Sequence, residues 1–396
     1  MPTFTLDIYQ TAGIAMLLFV LGRFLTERVE FLRKCCIPAP VVGGLIFALV
    51  HLGLYMSGVL ALSFDENIKN FFMTLFFTSV GYTACFRLLK KGGKKVFTFL
   101  FVAILMVILQ NLASSVLSVL LGWDPRLGLC TGSIPMVGGH GTAGAFGPVL
   151  EDFGIQGATT LCTAAATYGL IAGSMMGGPI GKMLIERHNL LATVVPEDDS
   201  LLVEEEMKHE RHTTMYPAAS FQLIVAMGIG TVLSRLLSLT GMTFPIYIGA
   251  MIAAAIIRNV GEYGGGYTVY MGEINDIGGI CLSLFLGMAM ITLKLWQLAE
   301  LALPLIVLLA GQTLFMILYV VLVVFNIMGR DYDAAVIVSG TCGFGMGATP
   351  NAMANMQAIC DKYSPSVKAY LLIPLVGSLF ADFLNSLVIT VFINFI

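Results

Sequence analysis

Apolar runs of about 20 residues recur along the whole chain, separated by Gly, Pro and small clusters of charge, and each is long enough to cross a hydrocarbon core about 30 Å thick. The breaks predict ten spans, near 6–26, 40–60, 70–86, 96–121, 158–182, 217–238, 245–258, 277–293, 300–326 and 368–394. No water-soluble domain of any size is left over. The opening "MPTFTLDIYQ" has no Lys or Arg, so it does not fit the basic start of a cleaved signal and predicts a retained first span.

Composition agrees with the pattern. The 396 residues are 57% hydrophobic and only 11% charged, with a mean hydropathy of +0.89, which excludes an ordinary soluble domain. If the stretches near 27–39, 87–95, 182–216, 258–270 and 327–331 face the cytoplasm, that side with its flanks holds 17 of the 21 Lys and Arg. Both termini then face out, and the central linker, 186–216, lies inside between an N-terminal half (1–185) and a C-terminal half (217–396). The eight cysteines show no metal or disulfide spacing and are expected to be small buried residues. His209 and His212 beside Glu204, Glu205 and Glu206 are read as a solvated charged loop. A net charge of −3 does not suggest nucleic acid.

The halves repeat at an offset near 205–209. "PVVGG" at 40–44 falls on "PIYIG" at 245–249 and "MTLFF" at 73–77 on "LSLFL" at 282–286. Gly132-Ser133 falls on Gly340-Thr341, Gly139 on Gly347 and Gly169 on Gly377. Each half has five spans, an odd number, so the second must be inserted upside down. Inverted repeats of this kind are a transporter architecture, with binding near the midplane where the repeats meet. The expected fold is therefore all-α and polytopic.

Two segments, near 124–150 and 331–364, are too apolar for solvated loops and too interrupted by Gly and Pro for spanning helices. Re-entrant hairpins, half-helices joined by an unwound tip, satisfy both facts if protein or a watery cavity covers the bare backbone. In "SIPMVGGHGTAGAFG" and "GFGMGATPN" the clustered glycines let a ligand touch the main chain, and half-helix N-termini favour an anion. The candidate solute ligands are Ser133, Gly138, Gly139, His140, Gly141, Thr142, Gly345, Gly347, Thr349 and Asn351. Hydroxyl, amide and carbonyl oxygens are hard ligands that suit Na⁺; Gln110, Asn111, Gln312, Thr341, Gly343, Asn355, Asp382 and Asn385 are its candidates. Asp382 and Asn385 lie three apart on one helix face, and a carboxylate at membrane depth needs a partner. In "GLIAGSMMGGPIG" the glycines at 169, 173, 177 and 181 recur every fourth residue and read as a packing stripe.

"GGHGT" at 138–142, "CGFGMGATPNAMANMQAI" at 342–359 and "YDAAV" at 332–336 resemble the bacterial sodium/glutamate symporter family, and the similarity runs through most of the chain. The resemblance implies Na⁺-driven uptake of L-glutamate across the bacterial inner membrane by a homodimer, with a scaffold and a mobile core that moves as an elevator. The first loop departs from the family pattern at Pro135 and Val137, where hydroxyl-bearing residues are expected. A Na⁺-coupled di- or tricarboxylate symporter of similar architecture and an ion channel are the alternatives. An intramembrane enzyme finds no paired His, Cys or Ser constellation.

Overall fold

The computed structural model describes residues 3–35, 37–87, 93–193, 213–239, 244–264, 268–377 and 381–396. Most of the linker, with His209, His212 and the adjacent glutamates, lies outside the described residues.

The first span is α1 (Ile8–Arg28), which begins where Asp7 accepts the amides of Tyr9 and Gln10 while Gln10 accepts that of Asp7, a reciprocal cap. After a short α2 (Glu30–Lys34), Pro38 and Pro40 start α3 (Ala39–Met56), a position that needs no amide proton. The chain continues through α4 (Asn67–Thr83), α5 (Gly93–Leu120), the three pieces α6 (Pro125–Leu129), α7 (Ser133–Met136) and α8 (Gly139–Asp152), and the long α9 (Ala158–His188). The second half runs α10 (Tyr216–Ser238), α11 (Ile246–Gly264), α12 (Met271–Ile291) and α13 (Leu298–Tyr319), the last continuing through a π turn to Met328. Then come α14 (Tyr332–Met346), α15 (Thr349–Lys362), α16 (Val367–Val376) and α17 (Asp382–Phe395).

Three expectations are corrected. The fold is mostly but not wholly helical: Thr3–Leu6 and Ala61–Phe64 form a two-stranded parallel ladder, Thr3 opposite Ala61. "TFTL" alternates apolar and β-branched residues, and the second strand is anchored by the Leu62 amide donating to buried His51 Nε2 at 3.1 Å. The span expected to reach residue 60 therefore ends at Met56. Among the described residues six helices are long and apolar enough to cross a membrane by length and composition, while α4 has 17 residues and α16 and α17 are shorter apolar helices within the expected last span. The first hairpin has three helical pieces, because it hugs α5: a Cβ on Gly128 would lie 2.4 Å from the Ser114 carbonyl oxygen.

Glycines set how closely the spans approach. In the first half a Cβ on Gly43 of α3 would sit 1.8 Å from the Leu18 carbonyl of α1; in the second, one on Gly249 of α11 would sit 2.3 Å from the Gly230 carbonyl of α10. Contacts between halves are reciprocal: Gly44 of α3 abuts Met290 of α12, and Gly81 of α4 abuts Met251 of α11. The outer surface is apolar, with Leu17, Phe101, Val225 and Leu303 all exposed, as contact with lipid requires. The stripe of α9 meets the second hairpin: Gly169 faces the Met346 carbonyl, and Gly177 faces Asn355 and the Ser339 carbonyl. Of the cysteines, those at 35, 85, 130, 162, 281 and 342 are buried, Cys360 is half-buried, and all seven are free.

Candidate functional site

The tips of the two hairpins meet. A Cβ on Gly139, which has φ +61°, would lie 3.6 Å from the Gly347 carbonyl oxygen, so a left-handed turn that glycine adopts at no steric cost brings one tip against the other. The second tip forms because its arms lie in contact: a Cβ on Gly343 would be 2.3 Å from the Ala352 nitrogen. Asp331 caps the inbound arm by accepting the Ala334 amide at 2.8 Å, and Pro350 opens the outbound one.

Between the tips is a cavity of about 290 Å³, at the small end of the range of ligand pockets. From the candidate solute ligands it is lined by Gly138, Gly139, His140, Gly141, Gly347 and Thr349. The N-terminal residues of α8 and α15, each 14 residues long, therefore face one space. Helix N-termini carry amide protons without intrahelical acceptors and a partial positive charge. Among the described residues no Lys or Arg lines the cavity, and Asp382 is the one carboxylate there.

The remaining candidates lie behind this wall. Ser133 is fully buried, its amide donating to Asn111 Oδ1 at 2.8 Å and its Oγ accepting from Asn111 Nδ2 at 2.9 Å. Asn385 Nδ2 donates to the Ser133 carbonyl at 3.1 Å, which ties α17 to the first hairpin. Gln110 Nε2 donates to the Gly345 carbonyl at 2.7 Å, and Gln312 Nε2 to the Gln110 carbonyl at 2.7 Å. Asn351 Nδ2 reaches the Leu170 carbonyl, and Asn355 Nδ2 that of Gly173, both at 2.9 Å on α9. The hydroxyls of Thr142 and Thr341 are spent on the backbone four residues back. His140 Nε2 lies 2.9 Å from Thr167 Oγ1. Asp382 and Asn385 thus share a helix face but divide their tasks, one on the cavity and one on the hairpin.

Four of these amides leave a buried oxygen that accepts nothing: Gln110 Oε1, Gln312 Oε1, Asn351 Oδ1 and Asn385 Oδ1. Each orphan costs about 1–3 kcal/mol, and in each the nitrogen already faces a carbonyl, so turning the amide over would gain nothing. Such oxygens are what a dehydrated hard cation takes. The opposite wall of the cavity, Pro38, Phe76, Leu282 and Leu286 from or beside α3, α4 and α12, is apolar. Sequence reasoning missed it, since apolar residues in apolar helices carry no local signal of facing a solute.

Comparison with known proteins places these features in context. The family model described as Sodium/glutamate symporter matches residues 4–365. The sodium/glutamate symporter of Escherichia coli (strain K12) is 38% identical over 394 residues, 98% of each chain, and that of Haemophilus influenzae is 36% identical over 396 residues, again 98% of each. Among solved structures, a sodium proton antiporter from Methanocaldococcus jannaschii aligns over 97% of this chain and 96% of its own, at 16% identity and a TM-score of 0.43.

Proposed function

The chain belongs to the sodium/glutamate symporter family, and we propose that it carries L-glutamate into a bacterial cell by symport with Na⁺, both bound at the hairpin tips. The observation that carries this reading is the cavity itself, where among the described residues two helix N-termini meet a single carboxylate and no basic side chain. That combination binds a small anion and a cation together without a Lys or Arg whose own charge would repel Na⁺. The Na⁺ ligands come from Gln110, Asn111, Gln312, Thr341, Gly343, Asn355 and Asn385.

The chain is built as two inverted five-span repeats in the inner membrane, both termini outside and the linker in the cytoplasm. The matching glycine crossings and the reciprocal contacts of Gly44 and Gly81 support a two-fold relation between the halves. The hairpins with α9 and α17 form the core, and α3, α4 and α12 belong to the scaffold whose apolar face the core slides along, in a homodimer. Coupling requires that Na⁺ complete the site, so that the empty and fully loaded cores move while the half-loaded core does not. Uptake of radiolabelled glutamate into proteoliposomes, with and without an inward Na⁺ gradient, tests this; uptake indifferent to Na⁺ refutes it.

A further inference from the structure

Asp382 of α17 lines the cavity, and its carboxylate has no hydrogen bond or ion pair with any described residue. A charged carboxylate at this depth needs a cationic partner. The surroundings decide which kind. A dehydrated Na⁺ must replace its water shell with several oxygens, yet among the described cavity-lining residues only His140, Thr349 and Asp382 carry polar side chains. The amide oxygens that accept nothing belong to Gln110, Gln312, Asn351 and Asn385, none of which lines the cavity. The side-chain amide oxygens left without a donor are therefore behind the wall, and Asp382 lies on the solute side. An ammonium group brings its own three donors and needs no shell of oxygens.

The charges also match in number. Glutamate presents two carboxylates and one ammonium; the cavity presents two helix N-termini and one carboxylate. We infer that Asp382 binds the α-ammonium of the substrate, so that the site selects an amino acid over a plain dicarboxylate. This rests on the glutamate reading above. Without the ammonium, a dicarboxylate meets Asp382 as a like charge, a repulsive element in specificity.

The test compares L-glutamate with glutarate, the same five-carbon dicarboxylate lacking the ammonium, by calorimetric titration of the purified full-length protein at saturating Na⁺. The wild type should prefer glutamate by at least about 30-fold, the scale of one buried charge-paired contact. In Asp382→Asn that preference should collapse to within about threefold, with glutarate bound as tightly as before or tighter. A merely structural residue or a Na⁺ ligand would weaken both ligands alike and leave their ratio unchanged, and that result overturns the inference. Equal binding of both ligands by the wild type overturns it too, whether or not the variant folds. If the wild type binds neither, the glutamate reading itself fails and this inference falls with it.

Discussion

Gly169 is where α9 is squeezed between both hairpins: a Cβ there would lie 2.3 Å from the Met346 carbonyl oxygen of the second and 3.3 Å from Met136 Sδ of the first. The oxygen is main chain, one residue before the tip glycine at 347, so no rotamer change relieves the overlap and the helices must separate by about 1 Å to restore ordinary contact. Overpacking of this kind costs about 1–3 kcal/mol, more than the roughly 1 kcal/mol that Ala gains over Gly in a helix. The same substitution at Gly181, on the same stripe, meets nothing nearer than 3.2 Å, the Ser339 Cβ, and should be close to neutral. Gly177, with Asn355 Nδ2 at 2.2 Å and the Ser339 carbonyl at 2.6 Å, should behave like Gly169, and Gly173, at 3.0 Å from the Cys342 carbonyl, should fall between. Thermal unfolding of the four Gly→Ala proteins in one detergent, with and without glutamate and Na⁺, ranks them. Gly169→Ala should unfold earliest together with Gly177→Ala and lose most of the stabilisation by ligand, because its strain is delivered to the tips. A Gly169→Ala protein as stable and as ligand-responsive as Gly181→Ala would refute the packing argument.

Three further outcomes follow from the site. At Gly139, with φ +61° and no near clash, the penalty is conformational, about 1–2 kcal/mol for most side chains; Gly139→Asn should keep more uptake than Gly139→Val, since Asn tolerates that region, and equal losses would count against a left-handed tip. Asn355→Leu removes the bonds to the Gly173 and Ser339 carbonyls and should destabilise by about 1–3 kcal/mol, read as an earlier unfolding midpoint. Gln312→Leu should raise the Na⁺ concentration needed for half-maximal uptake, whereas Tyr319→Phe, which loses a buried 2.6 Å bond to the Val102 carbonyl, should lower stability by about 1 kcal/mol and leave the Na⁺ dependence where it was.

What was legible in the sequence follows from which physical demands are local. A bare glycine backbone within an apolar stretch must be covered by protein or water wherever the chain goes, so "GGHGT" and "GFGMGATPN" announced hairpin tips on their own. The four-residue spacing of Gly169, Gly173, Gly177 and Gly181 likewise announced a close helix contact, and α14 and α15 supply it. The ladder of Thr3–Leu6 with Ala61–Phe64 did not show, because four residues of alternation at the edge of a long apolar run are swamped by it, and their partner is nearly 60 positions away. Partner choice was equally hidden for the amides. Ser133 reads in the sequence as a candidate solute ligand and Asn111 and Asn385 as candidate Na⁺ ligands, but their bonds to one another span 22 and 252 positions, and no spacing rule connects them. A polar residue in an apolar helix states a requirement without naming what meets it. That is why Asp382 and Asn385, three apart and indistinguishable by pattern, separate only when the fold sets Asp382 in the lining of the cavity and the Asn385 amide on the Ser133 carbonyl.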